Sequence, residues 1–223
     1  MKQNVKIATL SIKGGVGKTQ ICATAAMHFS DHLIPVKVID ADLQQSLSRH
    51  RQRELAVRSD KWVPYTVDFV NTSDIESVRL LMAEVNKYPC CFMFDCPGNV
   101  NDPGLTLIYQ ELDYAIIPYE LNADSVDATI LFARLFKQHF RAKLFFVPNK
   151  VSSVFEQRGE VRKAREDAVE ALGKLGIITP DIKMTTCMNG YSTIDSLGRD
   201  KRSAIKEAFY EIIKPIWRVY NYK

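Results

Sequence analysis

Lys13-Gly14-Gly15-Val16-Gly17-Lys18-Thr19 lies between a short apolar run, Val5–Leu10, and a helix-patterned segment, Lys18–Ser30. Glycines at 14, 15 and 17 let the backbone turn tightly and aim several N–H groups at one point. A helix starting at that turn adds the positive end of its dipole. Lys18 then reaches a β- or γ-phosphate as a point charge, and the Thr19 hydroxyl can ligate Mg²⁺. The usual phosphate-loop pattern, G-x-x-x-x-G-K-[ST], asks for glycine at position 12. This chain has isoleucine there and an additional lysine at 13.

Working outward, short apolar runs alternate with helix-length segments. Strands are predicted at Val5–Leu10, Val36–Asp40, Tyr65–Val70, Cys91–Asp95, Tyr114–Pro118, Lys143–Pro148 and Ile182–Thr186. Helices are predicted at Lys18–Ser30, Ser46–Val57, Asp74–Asn86, Ser125–His139, Glu156–Leu175 and Lys201–Val219. Several strands are continuous apolar runs, as expected when both faces are buried. The alternation predicts an α/β fold, a mostly parallel sheet with right-handed crossovers and helices on both faces. No repeat or linker divides residues 1–223, so one domain is expected.

Composition narrows the function classes. With 223 residues, 46% apolar and 25% charged, the chain suits one well-buried domain and is not of disordered type. No apolar run approaches the ~18 residues of a membrane span, and the first residues lack a signal-peptide core. A cytoplasmic location is expected. Five cysteines without a CxxC pair argue for reduced thiols over a zinc or disulfide framework. The net charge is +4, and from Arg199 onward seven lysines and arginines stand against three acids. That basicity permits a polyanionic partner.

Two further motifs carry carboxylates. Asp40-Ala41-Asp42 ends the second predicted strand, where an open parallel sheet lines its ligand crevice. Phe92-Met93-Phe94-Asp95 is an apolar strand ending in an acid and followed by Cys96-Pro97-Gly98. Such an aspartate binds Mg²⁺ through water in phosphoryl-transfer sites, and the Pro-Gly turn after it can sense the γ-phosphate.

Taken together, these motifs resemble the deviant Walker A family of P-loop ATPases, which includes the ParA, MinD and nitrogenase iron protein branches. The likeness spans nearly the whole chain and is nearest to small plasmid-type ParA proteins such as ParF. The loop begins at residue 13, so no helix-turn-helix domain is expected before it. The resemblance implies that Lys13, Gly14, Gly15, Val16, Gly17, Lys18, Thr19 and Gln20 hold ATP. It implies that Lys13 reaches across a dimer to the partner's nucleotide and that Asp42 orients the hydrolytic water. Thr19, Asp40 and Asp95 would serve the Mg²⁺ site. Asp40-Ala41-Asp42-Leu43-Gln44 carries leucine where the family has proline.

The base site is less legible. Val147-Pro148-Asn149-Lys150 ends a late strand, and Asn149 is either an adenine contact or a turn residue. Ser152 breaks the guanine-specific N-K-x-D pattern, which favours ATP. The ParA likeness further implies a homodimer on ATP, nonspecific double-stranded DNA, a ParB-like activator and nucleoid association. Lys183, Arg199, Lys201, Arg202 and Lys206 are the leading candidates for phosphate contacts on DNA. The family has arginine in many members where this chain has Met188.

Rival readings are a MinD-like membrane-surface ATPase, an iron protein, a tyrosine kinase and a nucleotide-gated scaffold. The first would use the apolar stripe Ile205, Phe209, Ile212, Ile216 and Val219, although Pro215 is expected to interrupt that helix. Membrane association is therefore not expected. An iron protein lacks a second cluster ligand beside Cys96, and Tyr210, Tyr220 and Tyr222 make only a thin tyrosine tail.

Overall fold

The computed structural model describes residues 4–220 except 59, 61, 99–101 and 156. Seven strands form one sheet: β1 Val5–Thr9, β2 Val36–Asp40, β3 Thr66–Phe69, β4 Cys91–Asp95, β5 Tyr114–Tyr119, β6 Lys143–Pro148 and β7 Ile177–Ile178. Their order is β3-β2-β4-β1-β5-β6-β7, and every pairing is parallel. The helices are α1 Lys18–Asp31, α2 Ser46–Ala56, α3 Ile75–Val85, α4 Pro103–Gln110, α5 Ala123–His139, α6 Gly159–Leu172 and α7 Arg199–Tyr220.

The continuous apolar strands are explained by a core on each face. Along β1, Val5 and Ile7 pack toward α1 and α7, while Ala8 packs toward the opposite layer. Along β4, Cys91 and Met93 face the first layer and Phe92 and Phe94 the second. Successive side chains of a strand point to opposite faces, so a strand covered on both sides must be apolar throughout. Helices α3, α4, α5 and α6 supply the second layer through residues such as Met82, Tyr109, Phe136 and Leu172.

Three expectations are corrected. The last strand is Ile177–Ile178, not Ile182–Thr186; the latter segment makes only the single bridge Val151–Lys183. Ile182 is buried, and its amide and carbonyl bond to Pro148 and Val151, so the segment runs beside the end of β6 for one bridge only. Helix α4 is additional. Asp102 caps it by accepting from the amides of Gly104 and Leu105, and Pro103 takes the first helical turn, where its missing N–H is harmless. Third, α7 runs unbroken through Pro215. Ile212, Ile213 and Ile216 flank that proline and are buried, which holds the axis although one helical hydrogen bond is absent. Glu156, the expected start of α6, and Tyr222 lie outside the described residues.

Candidate functional site

The glycine loop joins β1 to α1 at the carboxyl end of the central strand. Gly15 has φ +77° and Gly17 has φ +95°, left-handed values that side chains rarely adopt. At Gly17 there is also no room: an added Cβ would lie 2.6 Å from Asn149 Nδ2. Val16 is buried and pins the loop, whereas Lys13 is exposed and Lys18 and Thr19 are half-buried. At Gly98 an added Cβ would come within 3.0 Å of the Ser11 carbonyl. The turn after β4 thus lies directly against the phosphate-loop backbone.

Strand register sets the carboxylates. Asp40 of β2 and Thr9 of β1 both pair with Asp95 of β4, so the three side chains form one row across adjacent strands on the α1 side. Asp40 is fully buried. Its Oδ1 accepts from the Asp42 amide at 3.2 Å, and its Oδ2 from the Ser48 amide at 2.8 Å, in the first turn of α2. Burial raises its pKa, while those hydrogen bonds oppose the rise. The carboxylate that the resemblance assigns to the metal shell therefore closes a helix terminus as well. Asp42 is half-buried, and its Oδ1 accepts from the Gln44 amide at 2.9 Å.

Asp95 is the contrasting case. It is 1% exposed, and among the described residues neither carboxylate oxygen has a well-formed hydrogen bond, the Thr19 hydroxyl lying nearby. Burial pushes its pKa up to about 7; the Thr19 hydroxyl and Lys18 ammonium oppose this, while Asp40 and Asp42 reinforce it. The Thr9 hydroxyl beside it is also buried without a partner. Unsatisfied buried oxygens on this scale are uncommon, and they fit a cation with its water shell. Among the described residues no three His, Cys, Asp or Glu side chains converge as a metal cage. A hard cation here suits Mg²⁺, which takes one or two protein oxygens and completes its shell with phosphate and water.

Beside the loop lies a cleft of about 350 Å³ lined by Gln20, Asn149, Lys150, Lys183, Met184 and Met188 among others. Sequence reasoning missed Met184, and it treated Met188 only as a departure from the family. Asn149 is 4% exposed, and its Nδ2 donates to the Val16 carbonyl at 2.9 Å. Its amide group thus buttresses the loop, leaving Oδ1 as the acceptor. Gln20 points away from the loop: its Nε2 donates to the carbonyls of Met188 and Gly190, tying α1 to the segment before α7.

The basic candidates are not one free patch. Lys183 pairs with Asp181 at 3.3 Å, Lys201 donates to the Gly190 carbonyl at 2.8 Å, and Arg202 pairs with Asp31 at 3.0 Å. Arg199 and Lys206 are exposed on α7. Arg51, which the sequence offers with Arg49, Arg53 and Arg58 as a further basic cluster for DNA, is instead buried on the polar-looking helix α2. It donates to the Tyr65 carbonyl and to the Thr193 hydroxyl and carbonyl, each at 2.7 Å.

A parallel sheet whose central strand feeds a lysine-flanked glycine loop, with an acid ending the neighbouring strand, defines a P-loop nucleotide-binding domain. The CobQ/CobB/MinD/ParA nucleotide binding domain family matches residues 7–188, and the chain belongs to it. Comparison with curated protein sequences gave no significant match. Among solved structures, an ATP complex of a McdA variant from Cyanothece aligns over 97% of this chain and 98% of its own, with TM-score 0.71 and 15% identity. A plasmid partition protein from Borrelia burgdorferi bound to AMPPNP covers 94% and 100%, with TM-score 0.66 and 20% identity. Cobyrinic acid a,c-diamide synthase from Mycobacterium smegmatis, with an ATP analogue and magnesium, covers 98% and 96%, with TM-score 0.66 and 16% identity. At these identities the likeness establishes the shared fold.

Proposed function

We propose that the chain binds Mg-ATP in the glycine loop and hydrolyses it slowly as a nucleotide-switched homodimer, acting as a ParA-type partition ATPase. The observation that carries this reading is Asp95, a buried carboxylate without a well-formed hydrogen bond among the described residues, beneath the loop and next to Thr19 and Lys18. Thr19 and Asp95 would hold the cation, whose chemistry is to neutralise phosphate charge. Asp40 would support that shell from its capped position. Lys18 and the loop amides would bind and orient the phosphates, placing positive charge where it accumulates during phosphoryl transfer. Asp42, tethered through Gln44, would orient the attacking water. Gln20 would act through the loop before α7 and Asn149 from the wall of the cleft.

Lys13 supports the dimer. It is exposed; its amide donates to the Ser11 hydroxyl, and its ammonium has no partner among the described residues, which leaves it able to reach a second copy. With few catalytic groups beyond Asp42, turnover is expected to be slow and to rise with protein concentration. Double-stranded DNA and a ParB-like activator complete the reading, and nucleoid association follows from it. The exposed Arg199 and Lys206 are the first candidates for DNA phosphates; Lys183, Lys201 and Arg202 would have to exchange their internal partners.

The MinD-like alternative is weakened by α7. Four of its five stripe residues, Ile205, Phe209, Ile212 and Ile216, are buried in the core beside the sheet. Among the described residues, no helix is long and apolar enough to cross a membrane. ATP turnover measured across protein concentration, with duplex DNA or anionic vesicles, tests the proposal. Cooperative turnover stimulated by DNA supports it, and stimulation by vesicles alone would select the MinD-like reading. Absence of calorimetric heat with Mg-ATP would overturn both.

A further inference from the structure

Two adjacent side chains beyond β6 grip the phosphate loop from behind. Asn149 holds the Val16 carbonyl. Lys150 Nζ donates to the Gly15 carbonyl and pairs with Glu120 Oε1 at 3.2 Å, at the end of β5. Lys150 itself has φ +54°, a left-handed backbone that few non-glycine residues adopt. That conformation aims its side chain back at the loop instead of along the strand direction.

The consequence follows from peptide geometry. The described peptide bonds are trans, so a carbonyl and the N–H of the next residue point in opposite directions. Holding the Gly15 and Val16 carbonyls toward β6 turns the Val16 and Gly17 amides to the other side of the loop. The Gly17 amide has no acceptor among the described residues. An anion nest depends on such donors being aimed before the anion arrives.

We infer that Glu120 and Lys150 form a latch that pre-orients the phosphate loop, with Lys150 a positioning residue acting through Gly15. Glu120 keeps the ammonium on the carbonyl side of the loop and away from the anion. This inference rests on the nucleotide reading of the loop given above. It differs in sign from simple electrostatics. If Lys150 were only a nearby cation, neutralising Glu120 would free it and tighten nucleotide binding. If it is a latch, the same change loosens the loop and weakens binding.

The test uses the full chain, a fluorescent ATP analogue and magnesium. Glu120→Gln and Lys150→Ala should each weaken affinity by about tenfold, the scale of one lost charge-assisted hydrogen bond. The double variant should bind no more weakly than Lys150→Ala alone. Lys150→Gly removes the side chain while suiting the left-handed backbone, so it should bind as weakly as Lys150→Ala yet melt no lower than wild type. Tighter binding by Glu120→Gln, additive losses in the double variant, or wild-type affinity in Lys150→Gly would each overturn the latch while leaving the nucleotide site intact. Absence of binding by the wild-type protein would overturn the nucleotide reading and the latch with it.

Discussion

Asp40 and Asp95 occupy partnered positions on neighbouring strands, yet only Asp40 is held by backbone amides. Two acids of equivalent strand position are thereby separated in role. One closes the terminus of α2, and the other turns its oxygens toward the Thr19 hydroxyl beneath the glycine loop.

The first prediction concerns the pH response of Asp95. Its folded pKa, about 7, lies above the ordinary aspartate value of about 3.9. Between those values the folded state holds more protons than the unfolded chain, so this group's contribution falls as pH rises through that window and is flat above it. That gap corresponds to up to about 4 kcal/mol. Chemical denaturation of nucleotide-free protein should show that decline, and Asp95→Asn should flatten it. The same variant should lose Mg-ATP binding, and wild-type binding should release a proton near pH 7.

Gly17→Ala tests the close approach of the loop to β6. The new methyl meets Asn149 Nδ2 on a backbone at φ +95°. A destabilisation of about 1–3 kcal/mol is expected, with loss of nucleotide affinity. Thermal melts and titration with an ATP analogue check both. A variant with wild-type affinity would show that the carbonyl side of the loop is not constrained.

Lys13→Ala should leave the fold alone, because the side chain is exposed and has no partner among the described residues. Its melting temperature should match wild type. Hydrolysis should fall by about 10²–10³-fold and lose its dependence on protein concentration. Unchanged turnover would remove Lys13 from the reacting centre.

Arg51→Ala should be a stability variant. Its guanidinium satisfies the Tyr65 carbonyl and two oxygens of Thr193, and it lies 4.8 Å from the Tyr65 ring centroid. Removal strands these groups and should cost about 2–4 kcal/mol in denaturant melts. Lysine should not rescue it, since an ammonium cannot reproduce the planar fork.

The phosphate loop was legible because its meaning is local: glycine spacing, flanking lysine and hydroxyl, and a strand before a helix all sit within a few residues. The five inner strands were legible because burial on both faces leaves an apolar run, whereas β3, at one edge, is mostly exposed and showed only through its β-branched and aromatic residues. The opposite edge was not. Ile177–Ile178 is two residues long, and Ile182–Thr186 carries the stronger strand composition while making a single bridge to Val151. Pro103-Gly104 resembles a turn, but Asp102 in front of it supplies a helix cap. The cleft beside the loop was out of reach as a whole, since Gln20, Asn149 and Met184 come together only across three distant segments.

The order of residues alone therefore determined the parallel α/β architecture and the glycine loop, because periodicity and turn chemistry act over short spans. Tertiary structure decided which oxygens stay unpaired, which basic side chains are already engaged and what stands behind the loop. Those outcomes depend on strand order and register, which place Asp40 beside Asp95 and Lys150 against Gly15 across 55 and 135 residues of chain.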